Sequence, residues 1–225
     1  MKKRNGVWFV EGDIVLSEVL HEPGPTGDIF DVLAASVVVL SPGRRFALLG
    51  FGAGGIVAPL RALGSAHAIH AVDLNLQGEE LFRRTARYPV GEVNVDQRDA
   101  IAWLRRERRH YDLILDDLSI PNGKDAIKPD MSVGELPSLI SKRLRPGGVA
   151  IFNLLSHPHR SWSDVLKKAA APFSHGLVVH FSELDNKILL CGEDMGSAAS
   201  VSRELRQRLR SIDSTALGWS LRTLA

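Results

Sequence analysis

A glycine-rich loop at residues 48–55, with the sequence LLGFGAGG, is the strongest chemical signal in this chain. It follows an apolar run and precedes a predicted helix, which is the context in which such loops bind nucleotides or nucleosides. Gly50 permits a tight turn, while Gly52 and Gly54 let a ligand approach the backbone because they lack a Cβ. The loop fits both G-x-G-x-x-G and G-x-G-x-G, so alone it does not separate a nicotinamide site from an adenosylmethionine site.

Acidic residues end or follow the next two predicted strands. Asp73 is the last residue of the apolar run 68–73, and a carboxylate there can accept hydrogen bonds from both hydroxyls of a bound ribose. The alternative is a solvated carboxylate at a strand end. Asp99 stands between the run 93–97 and the next helix, where an aspartate is favoured as the N-cap.

A pair of carboxylates, Asp116 and Asp117, closes the predicted strand 111–116. Ligands of open α/β sheets bind outside the carboxyl ends of the strands, so this pair should face the same crevice as the glycine loop. Two adjacent carboxylates are costly to bury together, so at least one should face solvent or a cation such as a sulfonium or an amine. Asp112 begins the same strand at the opposite edge, and we expect it to be structural.

The remaining candidates carry less information. His157 and His159 follow the predicted strand 148–155, where they form either an ordinary loop or part of an acceptor site, and without further ligands they do not predict a metal site. Arginines at positions 105, 106, 108 and 109 are typical of a solvated helix end. Cys191 is the single cysteine, and we expect it to be a buried, unreactive thiol.

These residues sit on a regular alternation of apolar strands and amphipathic helices, which predicts a parallel sheet covered on both faces. The predicted strands are 45–50, 68–73, 93–97, 111–116 and 148–155. The predicted helices are 28–40, a helix that ends at 63, 76–87, 100–109, 133–144, 162–171 and 197–210.

The end of the chain departs from this alternation. Only four residues separate the strand-like runs 177–182 and 187–191. A parallel crossover needs about a dozen residues or more, so these two strands must be antiparallel neighbours. At the other end of the chain, 7–10 and 14–20 form a short β unit. We therefore divide the chain into this unit with its linker (1–27) and a Rossmann-like nucleoside-binding domain (28–225).

Composition limits the class of protein. The chain has 225 residues, 44% of them apolar, and 28 basic against 26 acidic residues give a net charge of +2. This balance does not indicate a dedicated nucleic-acid binder, and no apolar run approaches the ~20 residues of a membrane span. We expect a cytoplasmic protein whose partner is a small-molecule acceptor, without a membrane or a metal, and the sequence leaves a homodimer open.

Between Asp28 and Cys191 the sequence resembles the spermidine synthase family, which has a class I methyltransferase-like fold. Family members show Gly-Gly-Gly-Asp-Gly-Gly in the first loop, an acidic residue after the second strand, Asp-Ala after the third, and Asp-Ser-Ser-Asp-Pro after the fourth. This chain has GFGAGG in the loop, then Asp73, Asp99 followed by alanine, and DLSIP from Asp117. The framework of motifs is the same.

The resemblance assigns roles to several of these residues. It implies that Gly50, Gly52, Gly54 and Asp73 hold a nucleoside donor and that Asp99 contacts the adenine amino group, which is compatible with its N-cap role. It places Asp117 where the family has its catalytic carboxylate. Weaker expectations for the acceptor side are Asp116, Asn153 and His157.

The departures from the family fall on positions that read the substrate. Ala53 replaces the loop aspartate that pairs with the amine of decarboxylated S-adenosylmethionine, and Ile120 replaces a carboxylate that holds the polyamine. Asn153 stands where the family usually has glutamine. Without the loop carboxylate, the backbone N–H groups of the loop should be free to face the carboxylate of intact S-adenosylmethionine.

These departures favour an S-adenosylmethionine-dependent methyltransferase that acts on a small acceptor. We expect intact S-adenosylmethionine to bind at least as tightly as its decarboxylated form, and putrescine to be a poor acceptor. The alternatives are an aminopropyltransferase with an atypical polyamine site and a nucleoside-binding protein without catalytic activity.

Overall fold

The computed structural model describes residues 6–123, 125–214 and 217–224. Its centre is an eight-stranded sheet with the strand order β12-β10-β11-β9-β6-β3-β4-β5. The strands of this sheet are β3 (Arg45–Leu49), β4 (Ala68–Asp73), β5 (Val93–Gln97), β6 (Tyr111–Asp116), β9 (Leu144–Leu154), β10 (His175–Phe181), β11 (Lys187–Gly192) and β12 (Trp219–Thr223). Neighbours from β5 to β9 are parallel, and those from β9 to β12 are antiparallel.

Helices cover both faces of the sheet, and each face has its own apolar core. The helices are α1 (Ile29–Leu40), α2 (Val57–Ala62), α3 (Gln77–Thr85), α4 (Ala100–Arg106), α5 (Leu136–Arg143), α6 (Trp162–Ala170) and α7 (Ala198–Ser211). Residues of α1, α2, α3 and α7 pack into one core, and residues of α4, α5 and α6 pack into the other. The sequence-based prediction of a Rossmann-like, mostly parallel sheet is confirmed.

The order of the strands creates a switch point in the centre of the sheet. From β3 the chain moves outward through β4 to β5, and it then returns to place β6 on the other side of β3. The loops that follow β3 and β6 therefore diverge, and a crevice opens between them at the carboxyl ends of the strands. Ligands of open α/β sheets bind in such a crevice.

The closing hairpin is antiparallel, as its short connection requires. Register pairs such as His175 with Gly192 and His180 with Lys187 run along β10 and β11. One strand of the central sheet was not predicted: β12 pairs with the outer side of β10 and forms the edge of the sheet. No described helix is both long and apolar enough to cross a membrane.

Two small hairpins lie outside the central sheet. β1 (Gly6–Glu11) and β2 (Ile14–Leu20) form the predicted N-terminal β unit. β7 (Ile120–Asn122) and β8 (Asp125–Ile127) form a second hairpin in the segment after β6, where no strand was predicted. Both hairpins reach the crevice at the switch point.

Candidate functional site

A cavity of about 670 Å³ opens at the carboxyl ends of the parallel strands. Small-molecule sites typically enclose about 300 to 1,000 Å³, so a nucleoside with a small second substrate would fit. The glycine loop and the residues after β4 and β6 form its floor. The N-terminal hairpin (β1 and β2) and the β7–β8 hairpin form two of its walls.

The glycine loop turns sharply because it must pass close to the residue that follows β6. Gly50 has a φ of +87°, and a Cβ there would lie 2.8 Å from the backbone oxygen of Asp117. Gly52 and Gly54 also have positive φ values, +53° and +69°. Such angles strain any other residue, which explains the glycines without reference to a ligand.

The backbone N–H groups of residues 50, 51, 52, 54 and 55 in this loop are already bonded within the protein. Phe51 and Gly52 both donate to Oδ2 of Asp73 at 2.9 Å. Gly50 donates to a β4 carbonyl, and Gly55 donates to the hydroxyl of Ser17 at 3.0 Å. The expectation that free loop N–H groups face a donor carboxylate is therefore wrong for these residues.

Position 53 does not face the cavity either. The side chain of Ala53 is fully buried in the core, and it is not among the residues that line the cavity. A motif alignment gives the position of a residue along the loop but not the direction of its side chain. An aspartate at this position would be buried in the apolar core, so Ala53→Asp would test stability and not donor choice.

Asp73 lines the cavity and organises the loop beside it. Oδ2 accepts the two loop N–H groups, whereas Oδ1 accepts only the N–H of Asn75, at 3.3 Å. Asp73 is therefore more than a solvated carboxylate at the end of a strand, and its Oδ1 can still accept a hydrogen bond from a ligand. The next residue, Leu74, is 67% exposed at the cavity and presents an apolar surface there.

Asp117 is the carboxylate at the centre of the site. Its Oδ1 accepts a hydrogen bond of 2.7 Å from the side-chain amide of Asn153, whose own oxygen accepts one of 3.1 Å from Asn186. Asn186 precedes β11 and was not predicted. Burial raises the pKa of Asp117 to about 6, since the Asn153 hydrogen bond and the Lys128 ammonium offset it only in part. A carboxyl with that pKa can accept or release a proton near neutral pH.

Asp116 has a different environment from its neighbour. It is fully buried, does not line the cavity, and forms an ion pair of 2.9 Å with Lys128, which is 1% exposed. This position argues against the predicted contact of Asp116 with a substrate, because the cation that Asp116 meets belongs to the protein. Sequence reasoning missed Lys128, since no periodicity or motif in this turn-rich segment indicates a buried lysine.

Three other predicted site residues do not reach the cavity lining. Asp99 is the N-cap of α4, where its side chain accepts a hydrogen bond of 2.8 Å from the N–H of Ala102. His157 contacts Asp130 at 3.0 Å on another part of the surface. Gly54 is a buried residue of the glycine loop and is absent from the cavity lining. The predicted roles of Asp99 in adenine binding and of His157 in acceptor binding stay predictions.

The cavity brings together Gly50, Gly52, Asp73, Asp117 and Asn153 from the predicted set. The N-terminal hairpin adds residues that the sequence did not indicate, from Trp8 to Glu18. The Ser17–Gly55 hydrogen bond holds this hairpin against the loop. Ile120 lines the opposite wall and is 42% exposed, as its predicted position after β6 required.

No protein-family model and no curated protein matches the sequence. Among solved structures, a probable spermidine synthase from Corynebacterium glutamicum matches 99% of this chain and 84% of its own, with a TM-score of 0.76 at 17% identity. Human methyltransferase-like protein 13 in complex with SAH matches 85% of this chain and 93% of its own, with a TM-score of 0.64 at 21% identity.

A spermidine synthase in complex with the transition-state analogue AdoDATO matches 88% of this chain and 68% of its own, with a TM-score of 0.60 at 12% identity. At these identities the likeness shows the fold alone. The chain has the fold shared by spermidine synthases and class I S-adenosylmethionine-dependent methyltransferases.

Proposed function

We propose that this protein is a transferase that binds a sulfonium nucleoside, S-adenosylmethionine or its decarboxylated form, and transfers an alkyl group from it to a small amine. The observation that carries the proposal is the position of Asp117. It lies at the switch point beside the glycine loop, faces a cavity of suitable size, and has a pKa of about 6. The fold neighbours in complex with SAH and AdoDATO support a ligand of this class.

The charge of the cavity supports a cationic ligand. Every charged residue among the described residues that line it is acidic: Glu11, Glu18, Asp28, Asp73, Asp117 and Asp125. A cleft lined by one sign of charge concentrates ligands of the opposite sign. A sulfonium and a protonated amine are such ligands, whereas a phosphate or a nucleic acid is not.

The donor would be held by the residues around Asp73. Oδ1 of Asp73 is placed to accept a ribose hydroxyl, while Oδ2 keeps the glycine loop in shape. Leu74 offers an apolar face next to it, which suits the adenine ring. Asp73 ends β4 and Leu74 follows it, so a ribose and a base would be bound by adjacent positions.

The same observations favour the decarboxylated donor. Intact S-adenosylmethionine carries a carboxylate, and the described lining contains no lysine, arginine or histidine to pair with it. The N–H groups of Phe51, Gly52 and Gly55 in the loop, which could have replaced a cation, are bonded to Asp73 and Ser17. Because an unpaired charge is costly to desolvate, aminopropyl transfer is the form of the reaction that this cavity suits best.

The reaction would be an in-line displacement. The nitrogen of the amine attacks the carbon next to the sulfonium, the C–S bond breaks, and a neutral thioether nucleoside leaves. A protonated amine must first lose a proton to Asp117, directly or through the solvent, because only the neutral nitrogen has a lone pair for the attack, and the product leaves as an ammonium ion. Most of the acceleration would come from holding the two reactants in line, which the Asn186–Asn153–Asp117 chain supports by fixing the carboxylate.

Methyl transfer from intact S-adenosylmethionine is the second candidate, and Ile120 is the observation that favours it. This residue presents an apolar surface where a carboxylate would be needed to hold a polyamine. Asp125 lines the same wall from the paired strand β8, so the wall still carries one negative charge.

Product analysis by mass spectrometry tests the proposal. The full-length chain is incubated with each donor and with putrescine, a mono-amine and a neutral alcohol, and Asp117→Asn serves as the control. We expect aminopropylated amine and methylthioadenosine from the decarboxylated donor, and loss of both products in the variant. Methylated product from the intact donor would establish the second candidate. Nucleoside binding without any product would leave only a non-catalytic binding protein and contradict the proposal.

A further inference from the structure

The buried ion pair behind Asp117 is not used by the reaction described above. Nζ of Lys128 donates to Oδ1 of Asp116 at 2.9 Å and to its backbone oxygen at 3.3 Å. Both side chains are at most 1% exposed. Buried ion pairs rarely stabilise a fold more than apolar residues of similar size would, so this pair calls for another explanation.

Lys128 is the only cation that compensates Asp116 among the described residues. Oδ1 of Asp116 also accepts the backbone N–H of Leu118 at 3.0 Å, but Oδ2 is buried without a hydrogen-bond partner in the described part of the chain. Without the ammonium, the charge of Asp116 would stand uncompensated directly before Asp117. Two carboxylates so close together cannot both remain ionised at little cost.

The pair also links the site to the hairpin that walls it. Lys128 comes directly after β8, and Asp116 is the last residue of β6. The bond between them therefore closes the segment that begins with Asp117 and contains β7 and β8. Ile120 and Asp125 of this segment line the cavity.

We propose that the Lys128–Asp116 pair controls the charge carried by Asp117, so that Lys128 is a positioning residue of the candidate site. The charged groups around Asp117 come from three elements: Asp116 on β6, Asp73 on β4, and Lys128 after β8. Asp116 and Asp73 disfavour its ionised form, and Lys128 favours it. Removal of one member of the pair must therefore shift the titration of Asp117 in a direction that depends on which member is removed.

The titration of Asp117 can be followed directly by carbon-13 NMR of the side-chain carboxyl groups in the ligand-free protein. Asp117→Asn identifies the signal by its disappearance. We expect Lys128→Met to raise the midpoint by about one pH unit or more and Asp116→Asn to lower it by a similar amount, the usual effect of a neighbouring charge. The double variant should titrate close to the unmodified protein. Lys142→Met, which removes an exposed lysine on α5, is the matched control and should change nothing.

The opposite signs distinguish this role from a merely structural one, because a loosened site would shift both single variants the same way. Both single variants are therefore needed to decide the question. If Lys128→Met unfolds, Lys128→Gln replaces it, since glutamine can still donate to Asp116 without carrying a charge. Unchanged midpoints, or shifts in the same direction, would overturn the proposal. This inference rests on the proposed function only in taking Asp117 as the proton acceptor of the reaction. The titration needs no ligand, so this inference and the proposed function can fail separately.

Discussion

Two carboxylates flank the same central strand, and their environments are opposite. Glu107 precedes β6 and accepts hydrogen bonds from Arg109 and from the hydroxyl of Tyr111. Burial raises the pKa of Glu107, but these bonds outweigh it and bring the pKa down to about 2. Asp117 follows β6, has one amide donor, and has a pKa of about 6. The carboxylate of Glu107, which accepts several hydrogen bonds within the protein, has a structural role. The carboxylate of Asp117 accepts one hydrogen bond and is available for chemistry.

The same contrast holds between the two ends of the parallel strands. At the amino ends, carboxylates pair with arginines, as Asp112 does with Arg145 at 3.5 Å. At the carboxyl ends, the cavity lining contains carboxylates and no described basic side chain. Negative charge that no described basic side chain of the lining neutralises is what a cationic substrate requires.

The largest expected effect is on turnover. Asp117→Asn should lower the rate of alkyl transfer about 100- to 10,000-fold, the usual contribution of a positioned acid or base. Glu107→Gln, which makes the same chemical change at the other end of β6, should leave the rate within about twofold, since Glu107 does not line the cavity. Initial rates with the active donor and acceptor provide the measurement. Equal losses in both variants would contradict the distinction between the two ends.

The next effect is on nucleoside affinity. Asp73→Asn keeps an oxygen for the loop N–H groups but removes the charge toward the ribose. We expect methylthioadenosine to bind about 10 to 100 times more weakly, the value of one charge-assisted hydrogen bond. Calorimetry measures the affinity, and Glu107→Gln again serves as the control. An unchanged affinity would mean that Asp73 only shapes the loop.

A third effect is on the melting temperature, and it has opposite signs for the carboxylates at the two ends of β6. Because folding raises the pKa of Asp117, its protonated carboxyl adds to the free energy of unfolding. This contribution is fully present below about pH 4 and is lost as the pH rises through 6. Asp117→Asn should therefore melt about 3–6 °C above the unmodified protein at pH 7 but not at pH 4.

Because folding lowers the pKa of Glu107, its ionised carboxylate adds to the free energy of unfolding. This contribution is fully present above about pH 4 and is lost as the pH falls toward 2. Glu107→Gln should therefore melt about 3–6 °C below the unmodified protein at pH 7, with the difference shrinking in acid. Differential scanning calorimetry over this pH range measures both variants. A lower melting temperature for Asp117→Asn at pH 7 would show that its environment is as satisfied as that of Glu107.

The smallest effect concerns the amide chain behind Asp117. Because Asn186 donates to the oxygen of Asn153, it obliges Asn153 to present its NH₂ group to Asp117. Asn186→Ala should lower the transfer rate about 3- to 10-fold, the net value of one hydrogen bond, without changing donor affinity. Asn94→Ala, on the exposed face of β5, is the control. A change in donor affinity instead of rate would give Asn186 a binding role.

Local signals predicted most of the fold. The bounds of β4, β5 and β6 agree with their apolar runs, and Asp28, Asp99 and Ser197 cap their helices as such residues should. The predicted helix 100–109 ends at Arg106 instead, because Glu107 turns back to accept the N–H groups of the next two residues. β12 was missed because a short, half-exposed edge strand has no distinctive periodicity.

The site was less predictable because its properties are tertiary. Asp73, Asp117 and Asn153 line one cavity, as expected from the meeting of the carboxyl ends of parallel strands, while their roles stay predictions. The direction of the Ala53 side chain, the partners of the loop N–H groups and the pairing of Asp116 with Lys128 depend on packing between distant segments. The first two of these facts are why we propose the decarboxylated donor in place of the intact donor that the sequence favoured.

The central claim is that the carboxylates of the cavity select a cationic nucleoside. Calorimetric titration of the unmodified protein with decarboxylated S-adenosylmethionine, intact S-adenosylmethionine, methylthioadenosine and NAD tests it most directly. The account predicts the tightest binding for the decarboxylated donor, weaker binding for the intact donor, and none for NAD, whose pyrophosphate the cavity repels. Tighter binding of the intact donor, or any binding of NAD in the same cavity, would contradict the account.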